Sequence, residues 1–521
     1  MARVVVIGAG LGGLSCAVRL ALRGHQVVAC EQADTIGGKL GWFSRDGFSF
    51  DTGPQLLTLP AVYRDLFATS GTPLDEVVNL QPVDPTYHFR FADGVELELP
   101  NVSRPAIAAA WDAALGGGAG ADWTSLGERA ARIWDAVREP FLTRAQEGPL
   151  ALAQQARRSG DLRTLAPWRS LRGLGRQYLH HPHQRMALDR CATYAGSDPR
   201  RAPATLVTSV FIEQAFGAWY VRGGMRGLVE ALAERAGEHG VQLRTGSDVV
   251  EVLLDSSGRA RGVRLSDGEH LPADVVVANA DATHLYRDLV GGPEAELART
   301  ALRRMVPSSS LFTIMLALRG RTAGANGAGP AHQQVVFPQD PDAEFDAVFG
   351  TGPHRLTGPR VAEEPTIVVS APDDPALRPD DAHEAWSVQV IAPRHVATGS
   401  EDPAAGRILG RPRGIDWAAP GVADGYADRV LALMARRGLE VRDRVLWREL
   451  RTPADVERRT RSVGGSLHGP SSNTNRSTFI RPANRSPVPG LFLVGGSSHP
   501  GGGVPWVGLS AAIVAGLIGD A

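Results

Sequence analysis

Cysteine is scarce in this chain. Its 521 residues hold three, Cys16, Cys30 and Cys191, too few and too widely separated for a disulfide scaffold or a cysteine-based metal site. Lysine is scarcer still. Lys39 is the only one, so 54 of the 55 basic side chains are Arg, which we read as a compositional bias. Charge of one sign is not in excess either. The 55 basic and 56 acidic residues leave a net charge of −1, which provides neither a basic field for nucleic acid nor an acidic tail. No apolar run reaches 18 residues, so no membrane-crossing helix is expected. The first strand is expected from Arg3, which leaves no room for a signal peptide before it. No internal repeat of fixed period is found.

What is present suits a large globular protein. The chain is 43% hydrophobic and 21% charged, and its length predicts two or three domains. Val4-Val5-Val6-Ile7 reads as a buried strand. Gly8-Ala9-Gly10-Leu11-Gly12-Gly13 follows, then a helix to Arg23, then a second strand, Gln26 to Cys30. Glu31 closes that strand, 18 residues after Gly13. A lone GxGxxG is weak evidence, but a strand before it, a helix after it and an acid at this spacing are what dinucleotide binding requires. Gly8 permits the turn, Gly10 lets pyrophosphate approach the backbone, and Gly13 lets the helix approach the strand. The helix N-terminus then offers unpaired N–H groups to phosphate. Glu31 can accept from ribose hydroxyls and would repel a 2′-phosphate, which argues against NADP. The fingerprint alone does not choose between NAD and FAD. Further glycine segments, Gly37-Gly38-Lys39, Asp51-Thr52-Gly53-Pro54 and Gly495-Gly496, favour the longer ligand, and Lys39 would add a cation on the phosphate side.

Strand-like text recurs at Asp274 to Ala280 and Leu491 to Val494, and an apolar helix is expected at Trp506 to Ile518. A hairpin is expected over residues 85–99, helices over about 102–215, and strands within 305–395. Dinucleotide-type text at the start, middle and end predicts interleaved domains. Residues 1–98, 222–300 and 445–521 would form the nucleotide-binding unit, 99–221 a helical region, and 301–444 a mixed α+β domain.

The most specific text is Val488 to Pro505, in which a strand runs into Gly495-Gly496-Ser497-Ser498-His499-Pro500-Gly501-Gly502-Gly503 and a helix starts near Pro505. Together with the N-terminal glycines, Glu31, Phe50-Asp51-Thr52-Gly53-Pro54, Trp168-Arg169-Ser170, Gly217-Ala218-Trp219-Tyr220, Gly223-Gly224-Met225, Asn279-Ala280-Asp281 and Phe479-Ile480-Arg481-Pro482-Ala483-Asn484, it resembles the bacterial-type phytoene/carotenoid desaturase family of the flavin amine oxidase superfamily. The resemblance covers nearly the whole chain. It implies an α/β, Rossmann-like FAD-binding domain of amine-oxidase type, interleaved with a mixed α+β substrate domain and a helical membrane-associating region. It implies FAD as cofactor and an apolar polyene substrate held in a tunnel. The expected reaction forms double bonds by hydride transfer to flavin N5, with quinone or oxygen as the electron acceptor. It further implies a cytoplasmic protein, peripheral on the inner face of the membrane.

On that basis Gly8, Gly10, Leu11, Gly12, Gly13, Glu31, Gln32, Gly38, Lys39, Gly53, Pro54, Gln55, Val249, Gly495, Gly496, Gly503 and Val504 are expected at FAD, and Trp506 at the tunnel. His499 is expected either to assist proton removal or to satisfy loop backbone. Ser498, Gly502, Trp506 and Gln333 depart from the family's usual residues and leave the particular polyene open. Other flavoenzymes of this fold remain alternatives: a carotenoid 3,4-desaturase, a carotenoid isomerase, an amine oxidase or a protoporphyrinogen-type oxidase. So does a non-enzymatic relative that binds prenylated proteins, although that would be expected to show an eroded nucleotide site. His180-His181-Pro182-His183 reads as a loop, because Pro182 breaks any shared ligand face. Trp111, Trp123, Trp134 and Trp168 read either as helix packing or, given so insoluble a substrate, as an interfacial surface. Asp161 and Arg163 read as a surface salt bridge.

Overall fold

The computed structural model describes all residues except 147–161, 323–329, 400–406, 409–410, 413 and 474–480. Asp161, Phe479 and Ile480 lie outside the described residues.

The N-terminal apolar run forms the strand Arg3–Ile7, central in a five-stranded sheet. In spatial order its strands are Gln242–Arg244, Gln26–Cys30, Arg3–Ile7, Val275–Ala278 and Leu491–Leu493. All neighbours are parallel, with Val4 opposite Val27 on one side and Val275 on the other, and Val276 opposite Leu491. A parallel sheet needs cover on both faces. The helices Leu11–Leu22, Arg226–Glu238 and Val504–Ile518 contribute buried residues to one core with Val4 and Val6. On the other face Val5 and Ile7 join a core with the antiparallel strands Val249–Leu254 and Ala260–Leu265. Three segments distant in sequence thus meet in one layer, as the interleaved reading expected.

A second, seven-stranded sheet runs Val445–Arg451, Ser310–Arg319, His383–Ala392, Ile367–Ser370, Gln333–Val336, Tyr87–Arg90 and Glu96–Leu99. The hairpin at 87–99 joins it through parallel pairing of His88 with Gln334, and Val445–Arg451 pairs with Ser310–Arg319. Sheet membership therefore crosses the segment boundaries drawn at residues 98 and 445.

The helices of 104–216 form a packed core beside that hairpin. Trp111, Trp123 and Trp134 are buried in the interior, so the packing reading holds for these three and the interfacial one is corrected. Only Trp168, 61% exposed, stands in solvent. The histidine run also differs from its reading as a loop. Pro182 opens the helix Pro182–Tyr194, with His181 as its N-cap, because proline costs nothing where no helical N–H is needed. His180 and His183 pair separately with Asp122 and Asp93.

Candidate functional site

Gly8 turns the chain at φ 94°, a conformation that penalises a side chain, and its N–H donates to the Cys30 carbonyl at 2.7 Å. The helix Leu11–Leu22 then begins with Gly10 as N-cap and no side-chain cap, so its first N–H groups have no side-chain acceptor. A Cβ on Gly13 would collide with the Gly8 carbonyl, and one on Gly10 would lie 2.9 Å from Asn279 Nδ2. Glu31, 6% exposed, accepts from Ala9 N at 2.9 Å and Ala33 N at 3.1 Å. Burial pushes its carboxyl above the usual range, and these N–H groups oppose the shift. Arg244 O accepts from Glu31 N, and Ser247 N donates to Glu31 O, two residues before Val249, the buried first residue of the strand Val249–Leu254. Gln32 reaches away from the glycine turn, its Nε2 donating to Arg459 O at 2.7 Å.

The second glycine loop lies directly against the first. Gly37 N donates to Ala9 O at 3.0 Å, and a Cβ on Gly38 would meet Gly10 Cα at 3.7 Å. Lys39 Nζ donates to the Ser466 and Leu467 carbonyls at 2.8 and 3.0 Å. The single lysine is thus a half-buried tie to carbonyls 427 and 428 positions away. Burial lowers its pKa to about 8, with Asp281 opposing. Gly53 has no space for a Cβ against the Lys39 carbonyl, and Gln55 Nε2 donates to Asp51 O and Gly53 O, both at 3.1 Å. Pro54 is exposed beside them. Burial raises the Asp51 carboxyl to about 7, against hydrogen bonds from Met225 and Arg226 N–H.

The C-terminal turn closes on the N-terminal one. Gly495 takes φ 103°, and a Cβ on Gly12 would come within 3.2 Å of Gly495 Cα. Between them lies Asn279, at the end of the strand Val275–Ala278. Its Nδ2 donates to Gly8 O at 3.3 Å, and its Oδ1 would be 2.8 Å from a Gly12 Cβ. In the sequence Asn279 stands out only as part of a motif, because an Asn after an apolar strand reads as an ordinary turn. Arg481 Nη1 donates to Gly496 O at 3.1 Å and His468 O at 2.8 Å, and burial lowers its pKa to about 10. The helix Val504–Ile518 starts after Gly503, again with no side-chain cap, and Tyr63 Oη donates to Val504 O at 2.5 Å.

His499 is 3% exposed, and its Nε2 donates to Arg144 O at 3.0 Å. Its own carbonyl accepts from Asn484 Nδ2 and Ser510 Oγ, each at 2.8 Å. Burial lowers its pKa to about 4, so the ring is neutral. Trp506, in the first turn of the last helix, stands 6.3 Å from Trp134 between ring centroids. Gln333 is buried and donates to Ser370 Oγ at 2.9 Å.

A helix N-terminus without a side-chain cap at Gly10, joined through Asn279 to the C-terminal glycine turn at Gly495 that leads into a second such helix, defines a dinucleotide-binding protein of flavoprotein architecture. The model of the flavin-containing amine oxidoreductase family matches residues 11–382, and the chain belongs to that family. Its cofactor is FAD, and the glycine-lined cradle fits it: added side chains at Gly10 or Gly12 would fill the space against Asn279. A 4,4′-diapolycopene oxygenase of Methylomonas sp is 32% identical, over 98% of this chain and 97% of its own. A hydroxyneurosporene desaturase of Rubrivivax gelatinosus is 32% identical, over 98% and 92%. Among solved structures, a putrescine oxidase double mutant superposes with a TM-score of 0.63 at 12% identity, covering 99% of this chain and 98% of that one, which shows the shared fold.

Proposed function

We propose that this chain is an FAD-dependent carotenoid desaturase, which forms a double bond between adjacent saturated carbons of a long apolar polyene. The observation that carries the reading is the contact of the Gly12 and Gly495 backbones around Asn279, which joins both chain ends into one cofactor cradle. The full-length similarity to the Rubrivivax desaturase supports the substrate class.

In this reading Gly8, Gly10, Leu11, Gly12 and Gly13 receive the pyrophosphate at the helix N-terminus. Glu31 receives the ribose, with Gln32 and Val249 flanking it. Gly38, Lys39, Gly53, Pro54 and Gln55 form the opposing loop. Gly495, Gly496, Gly503 and Val504 bring the second helix N-terminus to the ring, where its dipole favours added negative charge. The chemistry FAD supplies when bound is acceptance of a hydride from the polyene. The protein orients the substrate and keeps water out. His499, neutral and bonded to Arg144 O, holds the turn in place, and Trp506 shapes the tunnel beside it. Residues 301–444 supply most of the substrate domain. The protein works in the cytoplasm on the inner membrane face, and quinone or oxygen reoxidises the cofactor.

The test is expression beside candidate polyenes, with products read by chromatography. A desaturase lengthens the chromophore and shifts absorption to the red. A purified protein that takes up no FAD on reconstitution overturns the reading. The equal identity to the Methylomonas oxygenase supports a second reading, oxygen insertion at a polyene end, recognised by incorporation of isotopic dioxygen.

A further inference from the structure

A cavity of about 900 Å³ opens on the protein surface away from the glycine turns. Arg201, Arg304, Val306, Arg355, Pro470 and Ser471 are among its lining residues. It is nonetheless coupled to the cofactor side. Gly469, which precedes Pro470, accepts from Ser308 N at 2.7 Å, and a Cβ on it would lie 2.6 Å from Ser497 Cβ in the C-terminal turn.

Three of the four cations of this wall, all but the buried Arg394, are unlike their neighbours. Arg299 and Arg303, on the helix Glu296–Arg303, bind Glu296 at 3.2 and 2.6 Å. Arg200 binds Asp198 and Asp346 at 2.8 and 2.7 Å, and Arg360 binds His354. Arg201, Arg304 and Arg355 are exposed, and among the described residues none has a side-chain partner. The wall's one acidic residue, Asp198, is already engaged by Arg200. Exposed apolar side chains accompany them. Leu356, next to Arg355, is 65% exposed; Val306 is 41% exposed. Leu297, four residues before the lining Ala301, is 74% exposed. Leu297, Ala301 and Arg304 fall one helical turn apart on an outward face, while Ala298 and Leu302 pack inward.

We infer that the mouth of this cavity, carrying Arg201, Arg304 and Arg355 with Leu297, Val306 and Leu356, docks on an anionic lipid bilayer, where its cations meet headgroups and its leucines enter the acyl boundary. Unpaired guanidinium groups beside protruding aliphatic side chains suit an anionic interface with an oily layer beneath it. A docked mouth would pass a polyene from lipid toward the C-terminal turn, a consequence that rests on the function proposed above. The docking surface is then this rim and not the tryptophans of the helical region.

The test is cosedimentation of the FAD-loaded protein with phosphatidylcholine vesicles, with and without phosphatidylglycerol. The expected result is binding to the anionic vesicles, weakened by added salt, with little binding to phosphatidylcholine alone. The triple variant Arg201→Glu, Arg304→Glu, Arg355→Glu should lose about 100-fold in partition, at roughly fivefold per cation removed. The pair Leu297→Ser and Leu356→Ser should weaken binding without changing charge, and Trp168→Asp should leave it intact. Flavin absorbance and the melting temperature verify that each variant is folded. A charge-reversed protein that binds as the wild type does overturns the inference. So does a wild type that ignores both vesicles, as expected if the rim serves an acidic protein, or one that binds both equally. Conversion of detergent-dispersed polyene separates the two readings: the triple variant should retain it, whereas a wild type inactive there sinks the desaturase assignment and leaves the vesicle result standing.

Discussion

The Asn279 carboxamide nitrogen donates to the Gly8 carbonyl at 3.3 Å, and its oxygen lies against the space a Gly495 side chain would need. One amide thereby locks the first glycine turn to the last. Asn279→Ala should cost about 1–3 kcal/mol of stability and lower FAD occupancy. Asn279→Asp should be worse, because it sets a second acceptor against the Gly8 carbonyl. Thermal melts and the flavin-to-protein absorbance ratio check both.

Gly10→Val places a branched side chain where Asn279 Nδ2 would be 2.9 Å from its Cβ. FAD content should collapse, while the fold loses about 1–3 kcal/mol from overpacking. Normal flavin occupancy in this variant would show that the pyrophosphate lies elsewhere.

Lys39→Met removes both hydrogen bonds to the Ser466 and Leu467 carbonyls. Denaturant titration should show a loss of about 2 kcal/mol. Because two carbonyls hold its ammonium, amine-reactive reagent should modify the half-buried Lys39 more slowly in the folded protein than in the unfolded one, as peptide mass mapping can read.

Acid should destabilise the protein through buried histidines. His332, His468 and His499 each have a pKa lowered from 6.5 to about 4 by burial. Between those values the unfolded chain takes up protons that the folded one refuses, so stability falls as pH drops from about 6.5 to about 4. Asp51 and Glu344, raised to about 7, act oppositely: the folded chain holds their protons, and stability falls as pH rises toward 7. His468→Gln should reduce the net proton uptake on unfolding by about one, measured from the pH dependence of stability. An unchanged slope would mean that His468 titrates normally in the folded protein.

Trp506→Gly opens the first turn of the last helix beside Trp134. The set of accepted polyenes should widen or shift, as chromatography of the products would reveal. An identical product profile removes Trp506 from the tunnel.

The cofactor half was largely legible in the sequence. Continuous apolar strands of a parallel sheet, a glycine turn and an acid at the next strand's end are local signals, and Arg3–Ile7, Gln26–Cys30, Val275–Ala278 and Leu491–Leu493 formed close to where they were expected. Tertiary pairing was not legible. Nothing in Tyr87–Arg90 announces that it will pair with Gln333–Val336, and nothing in Lys39 announces Ser466. Trp111 and Trp134 misled for a related reason: an amphipathic side chain among arginines looks interfacial until its helix neighbours are known. Asn279 escaped because its role depends on two turns that only the fold brings together.

The cofactor sheet takes its edge strand from Leu491–Leu493 and one covering helix from Val504–Ile518, which also approaches Tyr63. During synthesis, therefore, the glycine turn at Gly8 leaves the ribosome long before its counterpart at Gly495 exists. The growing chain must protect an unfinished sheet edge until Leu491–Leu493 has been made, and the complete flavin cradle cannot close before Gly495 follows it.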